Sequence, residues 1–232
     1  MFSLMVVRAV SACPSSNGPS DYPLSLERDL KKSLDANAPN SSDPKLLVTL
    51  SSLYLDLGND LYTDREKRLR VYEEGARLAR RTLELQEDNV EAHVLYASHL
   101  GEMAELKGVA ASFLSLEEIR THIRRALDLQ KDHVPALHMA GMMLEGLPRF
   151  MGGNPDAAIE HIKRVVTIDP THTEARLDLA KMYLKRNKVA LAIPELQVIL
   201  KIHSPRDAYA WSHQHCPEAQ RLLDSLQEKA QK

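Results

Sequence analysis

The sequence predicts an all-α protein built from stacked antiparallel helix pairs. A sixteen-residue pattern occurs three times in one register, from Thr82, Ala126 and Val165, with starts 44 and 39 residues apart. A shorter fourth copy starts 34 residues later, at Ile199. Each copy joins the end of one amphipathic segment, through a polar turn, to the start of the next. Self-similarity at periods of 20–50 residues is the signature of repeat proteins in which each repeat is one supersecondary unit.

Helical periodicity between the turns supports this class. Apolar residues recur at spacings of three and four, as on one face of an α-helix. Only 5% of the residues are aromatic, and the common residue types are good helix formers. After a short helix from Leu24 to about Leu34, the predicted helices form four pairs and one final helix: residues 45–57 and 67–85, 90–106 and 116–129, 134–144 and 156–168, 173–184 and 189–202, and 217–229.

The period and the residue types identify these pairs as similar to tetratricopeptide (TPR) repeats. A spacing of 34 residues is the TPR period, and small residues such as Gly75, Ala158 and Ala192 stand where paired helices approach. The turns between pairs keep a constant length, whereas the turns within pairs are lengthened. We therefore predict a TPR-like right-handed stack of four irregular antiparallel helix pairs with a C-terminal capping helix.

Composition and motifs argue against several classes of function. The net charge of −2 provides no overall field for binding nucleic acid, and no apolar run reaches the length of a membrane-spanning helix. Phosphate loops, nucleophile elbows and zinc-protease motifs are absent. His213, His215 and Cys216 form a dense group, but no second group completes a zinc site. We therefore predict a protein that is not an enzyme and that has no metal or cofactor.

The N-terminus carries a different signal. Residues 1–12 are largely apolar and end in small residues before Cys13, similar to the remainder of a signal segment with a lipoprotein cleavage site. Residues 13–43 then form a tether and a short leading helix, and residues 44–232 form the TPR-like domain. One hypothesis is a lipid on Cys13, with the protein anchored in the periplasm. The other is a disordered cytoplasmic N-terminus in which Cys13 is incidental.

Two surfaces are candidates for binding. The concave surface of a TPR stack is lined by fixed positions of the first helix of each pair, which here are mostly apolar: Val94, Leu95, His138, Met139, Met142 and Leu177. Methionine suits adaptable hydrophobic contacts, so we predict a groove for a protein partner or an apolar small ligand. The alternative is that inserted segments or the last helix cover this surface and make it core.

The second surface is the lengthened turn LPRFMGGN within the third pair. Two adjacent glycines permit a sharp reversal of the chain. The turn is therefore either a purely structural turn or a functional loop. Its candidate binding residues are Pro148, Arg149, Phe150, Gly152 and Gly153.

The segment that begins at this turn resembles a known family. LPRFMGGNPDAAIEHIKRVVTIDPTHTEARLDLAKMYLK is similar to the T-component of TRAP transporters, a family of TPR lipoproteins, and a weaker similarity connects the chain to eukaryotic regulators of microtubule dynamics. The first resemblance implies a lipid-anchored periplasmic accessory protein that binds the solute-binding P-component, and a homotrimer is one assembly that it implies. The alternative function is a soluble TPR scaffold for protein–protein interaction without a role in transport.

Overall fold

The computed structural model describes Cys13 and residues 21–230, and all the regular elements in these residues are helical. The segment 1–12, interpreted as part of a signal, therefore lies outside the described residues, as do residues 14–20 of the tether. The chain divides into two compact units. Of the described residues, the first contains those from 21 to 161, and the second contains Cys13 and those from 162 to 230.

The helices agree closely with those that periodicity predicts. The first unit contains α1 (Ser25–Asp35), α2 (Pro44–Asp56), α3 (Arg65–Leu85), α4 (Val90–Lys107), α5 (Val109–Leu129), α6 (Val134–Gly146) and the first half of α7 (Pro155–Ile168). The second contains the rest of α7 and α8 (Thr173–Lys185), α9 (Val189–Lys201), α10 (Ala208–Ala210) and α11 (Cys216–Ala230). The predicted all-α, TPR-like fold class is confirmed. None of these helices combines the length and the apolar character that crossing a membrane requires.

One predicted boundary is wrong. Residues 107–115, which were predicted as a lengthened connection between two helices, are not a loop, because α4 ends at Lys107 and α5 begins two residues later at Val109. Gly108 alone separates the two helices, with a φ of +93°. This left-handed backbone angle is readily available to glycine, so one residue reverses the chain where the spacing of apolar residues indicated a long connection.

The recurring polar turn has the same structure in each repeat. Asn89, His133 and His172 occupy the same position of the sixteen-residue pattern, and each side chain accepts a hydrogen bond from the backbone N–H three residues later. These bonds cap α4, α6 and α8, whose first N–H groups have no partner within the helix. The alanines that those bonds reach, Ala92, Ala136 and Ala175, are fully buried. The repeat therefore encodes a helix cap and the close helix contact that follows it.

Close packing in the first unit depends on a missing side chain at Gly75. The ring of His99 on α4 lies against Gly75 of α3, and a Cβ there would stand 2.2 Å from two ring atoms. The hydroxyl of Ser51 on α2 donates to the Gly75 carbonyl at 2.9 Å and lies 3.1 Å from His99 Nε2. Burial lowers the pKa of His99 to about 4. The three helices therefore meet at a neutral, hydrogen-bonded histidine.

The second unit has its own core. Leu179, Leu196 and Ile199 are almost completely buried where α8 packs against α9. The indole Nε1 of Trp211 donates to the Ile199 carbonyl at 2.8 Å, which satisfies a buried donor and fixes the segment before α11. Arg176 and Glu195 link α8 and α9 by a salt bridge of 2.6 Å.

Candidate functional site

The turn between α6 and α7 is a rigid, hydrogen-bonded loop. Residues Arg149–Met151 form one turn of 3-10 helix. The Gly153 N–H donates to the Pro148 carbonyl at 3.0 Å, and the Asn154 N–H donates to the Leu144 carbonyl at 2.9 Å. The Asn154 side chain then caps α7 by accepting from the Ala157 N–H at 3.2 Å. The loop is therefore fixed to the end of one helix and to the start of the next.

Both glycines of the loop are required by its backbone, for different reasons. Gly152 has a φ of +91°, which favours glycine. A Cβ on Gly153 would lie 1.8 Å from the Leu147 carbonyl oxygen, a distance at which the backbone itself must move. Phe150, by contrast, points outward and is 89% exposed. The structural interpretation of the two glycines is therefore supported, and the exposed Pro148, Arg149 and Phe150 stay candidate binding residues.

Beside this loop, the first unit contains a cleft of about 460 Å³ between α5 and α6. This volume lies within the range of sites that bind ligands, about 300–1,000 Å³. Leu147 and Gly152 belong to its lining, so the loop forms part of the cleft wall. The lining is mostly apolar along α6 and mixed along α5: Arg120, Ile123, Arg124, Leu127, Asp128, Ala140, Met143, Leu144, Leu147 and Gly152.

The helical period separates the cleft's floor from its rim. Ile123 and Leu127 stand one turn apart on α5 and are buried or half-buried, so they contribute apolar surface. Arg120, Arg124 and Asp128 form a second row with the same spacing. Among the described residues, the charged ones that line the cleft all belong to this row on α5, and α6 contributes only apolar side chains to the lining. The cleft therefore has an apolar floor and charge along one side.

The two arginines of that row differ in their partners. The Arg120 guanidinium donates to Glu117 at 2.8 Å and to the Met151 carbonyl at 2.8 Å, so it holds the loop against α5. Arg124 is exposed and forms no hydrogen bond or ion pair with any other described residue. Arg120 therefore has a structural role, and Arg124 is an available cation at the rim.

The structure places most of the predicted concave groove inside helix contacts. Val94 and Leu95 are buried in the first unit, and Leu177 is buried in the second. Val94 packs with Ala126 and Ala136, and Met139 covers that cluster. These three positions are therefore core residues. Helices of the neighbouring repeat cover Val94, and not the inserted segments or the last helix that the alternative named.

Two other groove positions remain partly accessible. His138 is half-buried, and Met142 is 38% exposed on α6, one position from the cleft residue Met143. Their role in binding stays a prediction.

The residues of the HQHC segment point to different neighbours. His213 stacks on Tyr209 with ring centroids 4.2 Å apart, and His215 Nδ1 lies 2.9 Å from the Thr173 hydroxyl. Burial lowers the pKa of His215. The Cys216 sulfur is bonded to the Cys13 sulfur. Each residue therefore has its own structural contact, and the three do not converge on one point.

This disulfide bears on the hypothesis of a lipid on Cys13. One sulfur atom cannot carry both a disulfide and a thioether to a lipid, so the two bonds exclude each other in any one molecule. The lipid, the periplasmic location and the cytoplasmic alternative stay predictions.

Sequence reasoning did not identify the cleft. The main cleft residues on α5 have the spacing of an ordinary amphipathic helix: Arg120, Ile123, Arg124 and Leu127. The available signal was the pairing of two arginines one turn apart with two apolar residues in the adjacent row. That pattern shows which residues share a face, but it does not show that α6 leaves space beside them.

Comparison with known proteins confirms the class of the fold. A sequence model of the tetratricopeptide repeat matches residues 150–214. A solved structure, a thermophilic TPR protein from Thermus thermophilus, is similar with a TM-score of 0.55 and 15% identity, covering 86% of this chain and 85% of that chain. The helices and these likenesses together define a TPR-like helical repeat protein.

A second match identifies the family. The model of "Regulator of microtubule dynamics protein 1-3" matches residues 24–143, more than half of the 232 residues, and the chain belongs to this family. Regulator of microtubule dynamics protein 1 from Bos taurus is 24% identical over 168 residues, 66% of this chain and 53% of that protein. The Pongo abelii protein is 26% identical over 169 residues, 66% of this chain and 54% of that protein. The chain thus spans about half the length of these curated relatives.

This match corrects the family expected from the sequence. The resemblance to the T-component of TRAP transporters was wrong as an assignment, and the weaker of the two similarities was the informative one. The motif LPRFMGGN that carried the assignment is explained by the backbone of the loop. A turn of this shape requires glycine for steric reasons alone, so it is weak evidence of a shared function.

Proposed function

We propose that this protein is a non-enzymatic TPR-like scaffold that binds a protein partner at the cleft between α5 and α6. The cleft itself supports the proposal best. It combines an apolar floor, a wall fixed by hydrogen bonds and an available cation at the rim, which are the features of a recognition site. Repeat proteins of this class commonly bind partners on surfaces built by successive helices.

The names of the relatives suggest where the partner is found. They are called regulators of microtubule dynamics, and the matched residues 24–143 include α5 and most of α6. We propose on this basis that the partner belongs to the microtubule system. We favour such a protein partner over three expectations from the sequence. The TRAP solute-binding component and the homotrimer depended on the resemblance to the T-component, and the apolar small ligand depended on the predicted groove.

A microtubule co-sedimentation assay tests this function. The purified chain is mixed with stabilised microtubules, and the bound fraction is compared for the wild type and Leu144→Trp. Leu144 is half-buried and lines the cleft, so a tryptophan there fills the space that a partner needs. We expect at least a tenfold loss of affinity, equivalent to about 1.4 kcal/mol.

Met142→Trp provides the matched control. Met142 lies on the same helix, two positions away and more exposed, outside the cleft lining. It should leave binding within about twofold of the wild type. Circular dichroism confirms that both variants fold. A wild-type chain that does not sediment with microtubules contradicts the proposed partner, and loss of binding in Met142→Trp alone contradicts the proposed site.

A further inference from the structure

We infer that the α5–α6 cleft recognises a short acidic segment of its partner, with an apolar side chain in the cleft and a carboxylate paired with Arg124. This inference rests on the proposed function and specifies the chemistry of the partner. It follows from the arrangement of charge along the cleft.

The interior of the cleft is apolar. The floor and the α6 wall present only apolar side chains, including Leu127 and Met143, so the group that enters must be apolar to replace the water there favourably. A cleft of about 460 Å³ has room for a few side chains and not for a whole helix of about 10 Å diameter. A short segment with one or two large apolar residues fits this space.

The rim of the cleft carries two arginines on α5. Arg124 presents a guanidinium with five N–H donors and has no partner among the described residues. Arg120, one turn nearer the loop, adds positive charge although its donors contact Glu117 and the Met151 carbonyl. Both arginines stand on the α5 rim, so a partner with its apolar residue in the cleft passes close to them. A carboxylate forms a charge-assisted, bidentate pair with such a group.

The charge changes sign along the rim of the cleft. Asp128 continues the same row four residues beyond Arg124, about 6 Å along the helix. The rim is therefore positive near the loop and negative at its other end. A partner with its carboxylate at the loop end is attracted, whereas one with the opposite orientation meets Asp128. This difference selects the polarity of the bound segment, since like charges in contact are unfavourable.

Selection from a display library of short random peptides tests this inference on the full chain. We expect peptides that combine Asp or Glu with Leu, Met or Phe, and about tenfold weaker binding of those peptides to Arg124→Glu. Lys45→Glu makes the same change of charge at an exposed position of α2 and should change affinity less than twofold. Exchanging the acidic residue of a selected peptide for lysine should restore binding to Arg124→Glu.

The outcomes separate this inference from the function on which it rests. Peptides that lose binding in Leu144→Trp, but carry no acidic residue and bind Arg124→Glu normally, overturn the acidic preference and leave the cleft as the binding site. Enriched peptides that are insensitive to Leu144→Trp, or no enriched peptides at all, overturn both the inference and the site.

Discussion

Substituting Gly153 tests whether the loop beside the cleft is built as the structure shows. In Gly153→Ala the added Cβ would lie 1.8 Å from the Leu147 oxygen and 2.6 Å from the Leu147 carbonyl carbon. Both neighbours are backbone atoms, so no change of rotamer relieves the overlap. The carbonyl must move by more than 1 Å to reach an ordinary contact of about 3 Å or more.

The expected cost follows from what this movement disturbs. The bonds from Gly153 N–H to Pro148 and from Asn154 N–H to Leu144 are worth about 1 kcal/mol each. Strain from overpacking adds about 1–3 kcal/mol. We therefore expect Gly153→Ala to lower the free energy of unfolding by about 3–5 kcal/mol. The displaced Leu147 also lines the cleft, so partner binding should weaken.

Urea denaturation measures this effect, and Gly152→Ala is the matched comparison. At Gly152 the nearest atom to an added Cβ is the flexible Arg120 side chain at 3.4 Å. Only the positive φ opposes the substitution there, at about 1–3 kcal/mol. If Gly153→Ala is as stable as the wild type, or less harmful than Gly152→Ala, the described loop is wrong.

Three further predictions concern packing, pH and the disulfide. Gly75→Ala should destabilise the protein by at least about 2 kcal/mol because the added Cβ meets the buried His99 ring. Gly101→Ala, where an added Cβ has no neighbour within 4 Å, should stabilise α4 by up to about 1 kcal/mol. Equal effects of the two substitutions on the free energy of unfolding would contradict the described packing. The pKa of His99 is lowered to about 4, so its neutral form favours the folded state above about pH 6.5. That contribution, about 3 kcal/mol, is lost as the pH falls towards 4. Denaturation across this range should show a weaker pH dependence in His99→Gln, and an unchanged dependence would refute the assignment. Intact mass under non-reducing conditions should show the Cys13–Cys216 disulfide and no lipid. A mass increase from acyl chains would support the hypothesis of a lipid on Cys13. Relative to the disulfide-bonded wild type, Cys216→Ser should lower the free energy of unfolding by up to about 5 kcal/mol.

The architecture was predictable because it depends on local signals that repeat. Apolar spacing determines which face of each helix is buried, and the shared turn places Asn89, His133 and His172 where a helix begins. A histidine is an unusual cap, so the caps themselves were not foreseen although the turns were. The small residue Gly75 was correctly assigned to a close helix contact, since few other residues fit there.

The start of α5 was missed because its first turns do not pack. Val109, Phe113 and Leu114 are at least half exposed. Because these apolar residues do not lie along one buried face, their spacing did not indicate a helix. The burial of three predicted groove residues, Val94, Leu95 and Leu177, has a related reason. Counting positions from regular TPR repeats assumes regular spacing between pairs, whereas Val94 here packs directly against Ala126. Distances between helices depend on all the contacting side chains together. The pattern within one helix therefore does not determine those distances.

Methionine-methyl NMR shows whether the partner binds in the cleft. Met143 lines the cleft, whereas Met142 and Met103 belong to the same unit outside its lining. Titrating the labelled protein with a selected acidic peptide should shift the Met143 methyl signal and leave those of Met142 and Met103 in place. A shift of the Met142 signal without a shift of the Met143 signal would place the partner on the concave positions and would contradict binding in the cleft.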